Sequence, residues 1–381
     1  MKKTKVLILT GTMNVGGIEN QLMHLIRHAD KEKFQIDFTT TVDHPYYSDE
    51  IISLGGKIIQ IPPTEGKHFW RYCKAIYRVM KTGGYDIVHS HELFHSGMVL
   101  LTAKLAGVKH RFVHAHNWCA GNYLGEKMTL KERAYTAIMQ RLICRYATDF
   151  IACSSLAGEY LYGKKVTRQN NYHLVFNSVD TSRFLEHYNH IESGDYLDDG
   201  WINVIQVGRY TIVKNQMFAL EIVEELRRRE KKIRVLCVGD DSTDYGKRVR
   251  AKIERHGLEP YIKLLGIRKD VDVLMRKSSA FILPSKYEGM PLVLIEAQAS
   301  GLQCVVADTF SREVDFGINT VKWLPESANA SAWADAIEEA ISKPKPEKDV
   351  VIEAVVKNGF DSKVFAKTIC ELYSNAVVTE K

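Results

Sequence analysis

The run S-K-Y-E-G-M-P-L-V-L-I-E-A-Q-A-S-G, residues 285–301, sets two carboxylates, Glu288 and Glu296, in a stretch that otherwise reads as core. A carboxylate taken out of water is costly unless a partner meets it. These glutamates therefore either reach solvent or hold a polar ligand. Pro291 suits the first position of a helix, where its missing N–H costs nothing, and Gly301 suits a helix end. The helix is expected from Pro291 to about Ser300, with Glu288, Gly289 and Met290 in the loop before it. The N–H groups of Leu292 and Val293 would then stand open at its first turn, ready for a phosphate. Glu296 lies one turn beyond Leu292, on the same face. Glu288, two backbone donors and Glu296 in a row match a sugar nucleotide, since carboxylates accept from pairs of sugar hydroxyls. Leu294, Ile295 and Ala297 around Glu296 weigh against a merely solvated helix glutamate.

Two cations form a second candidate group. In V-I-Q-V-G-R-Y-T-I-V-K-N, residues 204–215, Arg209 follows a strand end and Lys214 stands at the expected start of a helix. Arg can grip two oxygens of a diphosphate at once, and Lys acts as a point charge. The competing reading is a pair of solvated cations, the usual fate of these residues; their place at a strand end favours the diphosphate. A third group is the loop T-G-T-M-N-V-G-G-I-E-N after the first strand, where Gly16 and Gly17 let backbone approach a ligand at a helix N-terminus. The pattern is not G-x-G-x-x-G, so dinucleotide binding loses its main support. Asp270-Val271-Asp272 spells D-x-D, but it opens the helical pattern D-V-D-V-L-M, where acids suit the positive end of the helix dipole. No metal is expected.

The elements that must position these residues alternate between short β-branched runs and helical patterns. Strands are predicted at Val6–Leu9, Gln35–Thr40, Lys57–Gln60, Ile87–His89, Arg111–Ala115, Phe150–Cys153 and His173–Phe176. Helical patterns include Glu19–His28, Trp70–Lys81 and Lys131–Tyr146. A second series begins at Val204–Val207 and continues with Arg234–Val238, Ile262–Leu264, Ala280–Leu283 and Cys304–Ala307. Such alternation implies parallel βαβ units. The expected architecture is α/β, two doubly wound, Rossmann-like domains facing across a cleft, with ligands at the carboxyl ends of the strands. The boundaries read as 1–179 for an N-terminal, acceptor-side domain, 180–200 for a polar, turn-rich linker, and 201–361 for a nucleotide-sugar-binding domain. A C-terminal helix follows over 362–381, and a crossing back to the N-terminal domain stays open.

Composition narrows the class further. The chain has 381 residues, 45% hydrophobic and 26% charged, ample for two cores. A net charge of +6 suits anionic small molecules or an anionic membrane surface without demanding nucleic acid. Seven cysteines, scattered and without a C-x-x-C pair, fit a reducing compartment rather than a disulfide framework or a zinc site. The apolar N-terminal run is too short for a signal peptide, and no run approaches a membrane span. The expectation is a cytoplasmic protein, with the inner face of the cell membrane as its site if contact is peripheral. Two basic, aromatic helix patterns, Lys67–Lys81 and Lys127–Tyr146, could rest on an anionic bilayer.

Taken together, the motifs resemble one family. E-G-M-P-L-V-L-I-E-A is similar to the E-x7-E motif of retaining glycosyltransferases of family four, which have the GT-B fold. G-R-Y-T-I-V-K-N resembles their G-R-x4-K-N diphosphate grip, N-V-G-G-I-E their first glycine loop, and N-S-V-D-T-S-R-F their N-G-V-D-x3-F segment, with Ser178 in place of the usual Gly. The likeness covers nearly the whole chain in the right order, and H-S-H, H-A-H-N and E-A-Q-A-S-G-L resemble the capsular and exopolysaccharide branch. The resemblance implies that Arg209 and Lys214 hold the donor diphosphate, Glu288 the transferred sugar and Glu296 the ribose. It implies that Gly16 and Gly17 line the cleft and that Gly266 and Ile267 meet the base. Leu292, Val293 and the residues before them, Gly289, Met290 and Pro291, would complete the donor site.

The family also carries a histidine near the reacting bond. V-H-A-H-N offers His114 and His116, and His116 is preferred because it precedes Asn117. The implied donor is a UDP-sugar, with no cofactor, and the implied acceptor a saccharide or lipid-linked molecule in surface polysaccharide biosynthesis. The transition state would resemble an oxocarbenium ion, with the leaving diphosphate stabilised by Arg209, Lys214 and helix N–H groups rather than by metal. Alternatives are a GT-B sugar-nucleotide epimerase and, further off, a dinucleotide oxidoreductase. No motif supports nucleic-acid binding.

Overall fold

The computed structural model describes residues 3–14, 16–63, 69–117, 128–185 and 199–378. The chain divides into two compact units, residues 1–178 with 361–381, and residues 179–360.

The first unit is built on seven parallel strands: β1 (Thr4–Leu9), β2 (Phe34–Thr40), β3 (Ile58–Gln60), β4 (Ile87–Ser90), β5 (His110–Ala115), β6 (Asp149–Ala152) and β7 (Tyr172–Leu174). Their order is β3-β2-β1-β4-β5-β6-β7, so the winding reverses between β1 and β4. The helices between them are α1 (Gly17–His28), α2 (Ser48–Ser53), α3 (Phe69–Gly83), α4 (Ser96–Ala106), α5 (Leu130–Tyr146) and α6 (Ser155–Tyr162). Side chains alternate along a strand, and β1 shows the consequence. Val6 and Ile8 join a core with Leu22, Met23 and Ile26 of α1, whereas Leu7 and Leu9 join one with Tyr72, Ile76 and Met80 of α3. Both faces of the sheet are covered, which is why its strands read as continuous apolar runs.

The second unit carries α7 (Thr181–Leu185) and six parallel strands: β8 (Ile202–Val207), β9 (Ile233–Val238), β10 (Ile262–Gly266), β11 (Ala280–Leu283), β12 (Gln303–Ala307) and β13 (Val321–Leu324). Their order is β10-β9-β8-β11-β12-β13, reversing between β8 and β11. The helices are α8 (Gln216–Arg228), α9 (Asp244–His256), α10 (Val271–Arg276), α11 (Leu292–Ala299), α12 (Ala330–Ser342) and α13 (Lys348–Lys357). The last helix, α14 (Ser362–Val378), belongs to the first unit, where Phe365, Ala366, Ile369 and Tyr373 enter the core of α1 and β1.

The predicted strands all exist, with ends moved by a residue or two. His173–Phe176 is the largest shift: β7 stops at Leu174, with Val175 N–H still donating to the Ala152 carbonyl of β6 at 2.9 Å. One strand has no counterpart in the sequence reading. β13 is an edge strand whose four residues include an exposed Lys322, the kind of charge that blunts an open edge and hides the apolar signature. The segment read as a linker falls largely outside the described residues; its described part contains α7. Lys67 and Lys127 of the basic patterns, and Cys119, also lie outside them. The other six cysteines are free thiols. Among the described residues no helix is long and apolar enough to cross a membrane.

Candidate functional site

In a doubly wound sheet the crevice opens where strand order reverses, beyond the carboxyl ends of the two diverging strands. In the second unit those strands are β8 and β11, and the chemistry predicted from sequence follows each of them. After β8 come Gly208, Arg209 and Lys214; after β11 come Glu288 and the start of α11. One backbone and one side-chain hydrogen bond tie the two loops together, and a third braces the β8 loop on its own strand. Lys286 N–H donates to the Val213 carbonyl at 2.8 Å, Asn215 Nδ2 donates to the Pro284 carbonyl at 3.2 Å, and Gln206 Nε2 donates to the Lys214 carbonyl at 2.9 Å. This frame brings Lys214 Nζ to 2.6 Å from Glu288 Oε1, with the side chains 21% and 13% exposed. The predicted diphosphate cation and the predicted sugar carboxylate are therefore ion partners.

Glycine makes the approach feasible. Gly208 has φ 154°, and a Cβ there would press on the Lys214 stem. Gly239, at φ 148°, lies so close to the Gly208 carbonyl that a Cβ would overlap it. Neither position accommodates an L side chain without strain. The strand ends are linked in series: Gly208 N–H donates to the Val238 carbonyl and Gly239 N–H to the Gly266 carbonyl, both at 2.8 Å. Gly266 turns at φ 64°, and the next residue, Ile267, is 78% exposed. Arg209 is exposed. Its neighbour Asp240 is held below the usual carboxylate range by hydrogen bonds from Ser242, with Arg209 adding to the pull.

One helix boundary departs from the sequence reading. Pro291 is the N-cap of α11 in an extended conformation (φ −72°, ψ 101°), not its first helical residue. Its carbonyl accepts from Leu294 N–H at 3.0 Å, so the cap residue supplies the acceptor that opens the helix. Leu292 and Val293 then stand at the first turn, ahead of that first intrahelical bond, where N–H groups point out of the helix end. Gly289 and Met290 precede the cap, and Met290 is buried.

Glu296 sits mid-helix, partly exposed, between Ile295 and Ala297 of the core. Burial pushes its carboxyl up to about 7; Arg183 opposes the rise and Asp272 adds to it. Sequence reasoning missed this surrounding. Arg183, on α7, donates through Nε at 3.0 Å and Nη2 at 2.7 Å to Asp272 Oδ1. Arg276 Nη1 donates to Asp272 Oδ2 at 3.2 Å. Asp270 accepts from Arg268 at 2.8 and 2.6 Å. The D-x-D pair thus caps and opens α10 as expected, with each carboxylate engaged by arginine. Nothing in the sequence pattern joins Arg183 to Glu296, more than a hundred positions apart; only the fold does.

The other predicted residues belong to the first unit. Gly16 is the extended N-cap of α1 (φ −166°) and Gly17 its first residue. Thr12 Oγ1 donates to Glu19 Oε1 at 2.7 Å, and a Cβ on Gly16 would strike the Glu19 carboxylate. The Glu19 carboxylate thus lies beside this helix start. His114 and His116 lie at the end of β5 and are 1% and 7% exposed. Burial lowers both: His116 falls to about 4 despite a hydrogen bond with Asn177, and His114 falls well below its usual value, with His116 and His89 contributing. They pack against His89 and His91 of the H-S-H motif, and His116 Nε2 is 2.8 Å from His91 Nδ1. Ser178, where the resembled pattern has Gly, is built in. Its N–H donates to Gln21 Oε1 and its carbonyl accepts from Gln21 Nε2, both at 2.7 Å, while its hydroxyl meets His24 Nδ1 at 3.0 Å.

Residues 15–183 match the family described as Glycosyltransferase Family 4, and residues 202–343 match that described as Glycosyl transferases group 1. The putative glycosyltransferase EpsF of Bacillus subtilis is 31% identical over 390 residues, covering 99% of this chain and 97% of that protein. The capsular polysaccharide biosynthesis glycosyltransferase CapH of Staphylococcus aureus is 27% identical, covering 97% of this chain and 98% of that protein. Among solved structures, Anabaena HepE in complex with UDP and glucose is similar at TM-score 0.77 and 18% identity, covering 97% of this chain and 99% of that one.

Proposed function

This chain belongs to glycosyltransferase family 4, and we propose that it is a retaining, metal-independent hexosyltransferase that uses a UDP-sugar. It is a GT-B-fold enzyme that moves a sugar from a nucleotide diphosphate sugar to an acceptor. In the proposed reading the acceptor is a saccharide or lipid-linked intermediate of surface polysaccharide synthesis. EpsF, CapH and a galactosyltransferase acting on a GlcNAc-diphosphoundecaprenol support that acceptor class. That galactosyltransferase, 27% identical, takes UDP-Gal, and HepE is solved with UDP and with UDP-glucose; these favour uridine over the GDP-mannose of a relative 22% identical.

What carries the reading is the Lys214–Glu288 pair at the reversal point of the second sheet, beside the N-terminus of α11. A donor diphosphate seated there meets Lys214, Arg209 and the N–H groups of Leu292 and Val293. As the bond between anomeric carbon and phosphate oxygen breaks, negative charge gathers on the departing diphosphate and positive charge on the sugar ring. The cations and the helix N–H groups stabilise the first. Glu288, released from Lys214 by the phosphate, is free to accept from the sugar's hydroxyls, and Glu296 from the ribose. The base lies by Gly266 and Ile267. Gly16 and Gly17 serve the phosphate and acceptor side, with His116, or in its place His114, near the reacting bond.

The protein works at the inner face of the cell membrane in this reading. The exposed face of α3 carries Trp70, Arg71, Lys74, Tyr77, Arg78 and Lys81, and the helix has no acidic residue. Aromatics and cations without acids suit an anionic bilayer.

The test is thermal stabilisation by UDP, GDP, ADP and NAD, each with and without EDTA. A ligand at 100 times its Kd raises stability by about 2.7 kcal/mol. A shift with UDP whose size EDTA leaves unchanged is the expected result. A shift with NAD alone would overturn the assignment, and one with GDP would move the donor to another base.

A further inference from the structure

The first unit holds a cluster of four buried histidines, of which the proposed transfer reaction calls on one, His116 or in its place His114, and leaves the others without a role. Strands β4 and β5 are parallel neighbours, with His89 opposite Phe112 and Ser90 opposite Val113. H-S-H at the end of one and H-A-H at the end of the other have the two-residue period of a strand, so all four imidazoles turn to one face. His89, His91, His114 and His116 are 1%, 7%, 1% and 7% exposed. The rings of His89 and His91 lie 4.2 Å apart, His91 and His114 5.2 Å, and His89 and His114 5.5 Å between centroids. One ring nitrogen from each of His89, His91 and His114 falls within 4.8 Å of the other two.

The hydrogen bonds of this group are lopsided. His89 Nδ1 meets the Tyr373 hydroxyl at 2.6 Å, and His91 Nδ1 meets His116 Nε2 at 2.8 Å. The opposite nitrogens, His89 Nε2 and His91 Nε2, have no hydrogen-bond partner, nor does either nitrogen of His114. Buried polar atoms are nearly always paired, and one left unpaired is costly. An imidazole held through one nitrogen while the other faces a shared centre is the arrangement of a metal-ligating histidine, in which the outer bond fixes the tautomer.

We propose that His89 Nε2, His91 Nε2 and a ring nitrogen of His114 form a binding site for a divalent transition ion of the zinc type, with water as fourth ligand. When the Nδ1 protons of His89 and His91 are committed to Tyr373 and His116, their Nε2 atoms are acceptors only, and His114, with neither nitrogen bonded, can present a third in the tautomer that turns its lone pair inward. A water has two protons and cannot serve three such acceptors; a divalent cation can. Zinc–imidazole bonds of about 2.0–2.1 Å need the nitrogens closer than they stand and the stacked rings of His89 and His114 turned out of parallel; the proposed site forms by rotation within the broad χ2 well of His. Three imidazoles with no carboxylate or thiolate among them select zinc, cobalt, nickel or copper over magnesium or calcium. His116 stays outside the coordination sphere, because its Nε2 is taken by His91. The bound ion clamps β4 to β5 and, through His89 and Tyr373, to α14. It plays no part in holding the donor diphosphate, which the second unit's residues do.

The experiment is a titration of chelator-treated, full-length protein with Co2+ alone, following the visible ligand-field bands of nitrogen-coordinated cobalt, then displacement with Zn2+. The expected result is about one equivalent bound per chain, a raised melting temperature, and bands lost on Zn2+ addition. His114→Asn and His89→Asn should abolish the bands with the far-UV circular dichroism unchanged, whereas His116→Asn should retain them. Ring-nitrogen NMR of the unmutated protein reads the ligands directly if the variants fail to fold: Zn2+ should move the signals of His89, His91 and His114. Folded wild-type protein that gives no cobalt bands would overturn the proposal. So would bands that survive in folded His89 and His114 variants, or Zn2+ shifts confined to the chain's other histidines.

Discussion

Glu296 gives the sharpest test of the donor site, because its charge state and its proposed role oppose each other. The carboxyl rests near pKa 7, chiefly through burial. Arg183 pulls it down only in part, because that guanidinium is already bonded to Asp272. In the unfolded chain the carboxyl returns to its ordinary value of 4.5. Between those values the folded protein holds a proton that the unfolded chain does not. By linkage, this residue's contribution to stability is fully present below about pH 4.5 and falls as pH rises through 7. Ribose hydroxyls act in the other direction, since they donate to the ionised form and favour proton loss. If the bound carboxyl returns to about 4.5, linkage makes donor affinity rise with pH by roughly 70-fold between pH 5 and pH 8, levelling above 7. The assay is calorimetric titration with a UDP-sugar rather than UDP, because a terminal phosphate has its own pKa of about 6. Glu92 of the first unit is also pushed by burial to about 7, so the control is Glu296→Gln, which should bind weakly and without this slope. A flat wild-type profile, or an unchanged slope in Glu296→Gln, would refute the ribose assignment.

Lys214→Ala and Glu288→Gln should each lower kcat by about 10²–10³, the usual loss when one donor to developing charge is removed, with native circular dichroism retained. Near-normal transfer in both, with a verified donor, would defeat the site. Gly239→Ala forces a Cβ onto the Gly208 carbonyl at a φ of 148°. It should cost about 2–3 kcal/mol in a denaturant melt, and a loss within experimental error would show that the strand ends yield. Wild-type protein should float with anionic liposomes at low salt and be released by high salt. Lys74→Glu with Arg78→Glu should weaken binding at least about tenfold, and failure of the wild type to float would remove the membrane proposal.

Much of the fold was legible because both sheets are parallel and buried on two faces. Such strands are unbroken β-branched runs, and the helices between them carry amphipathic patterns. Reading failed where that signature thins. β13 is paired on one edge only and carries Lys322, and β7 reads longer than it is because Val175 and Phe176 continue the apolar run past the strand's end at Leu174. Pro291 misled for a related reason. Proline's fixed φ suits both the last extended residue and the first helical one; ψ decides, and here it is 101°.

The candidate site was legible where the chemistry lies next to a strand end, and illegible where it comes from afar. Arg209, Lys214, Glu288 and Glu296 each follow a strand of the second sheet, so local pattern sufficed to propose them. Arg183 and Asp272 reach Glu296 only through packing, and no spacing rule connects them. The histidines make the same point from the other side. H-S-H and H-A-H are two short motifs, each consistent with a lone histidine packed in a core. Only the pairing of β4 with β5 converts two periodic pairs into four imidazoles on one face. Which histidines can act together was decided there by strand register, a property of the sheet rather than of either segment.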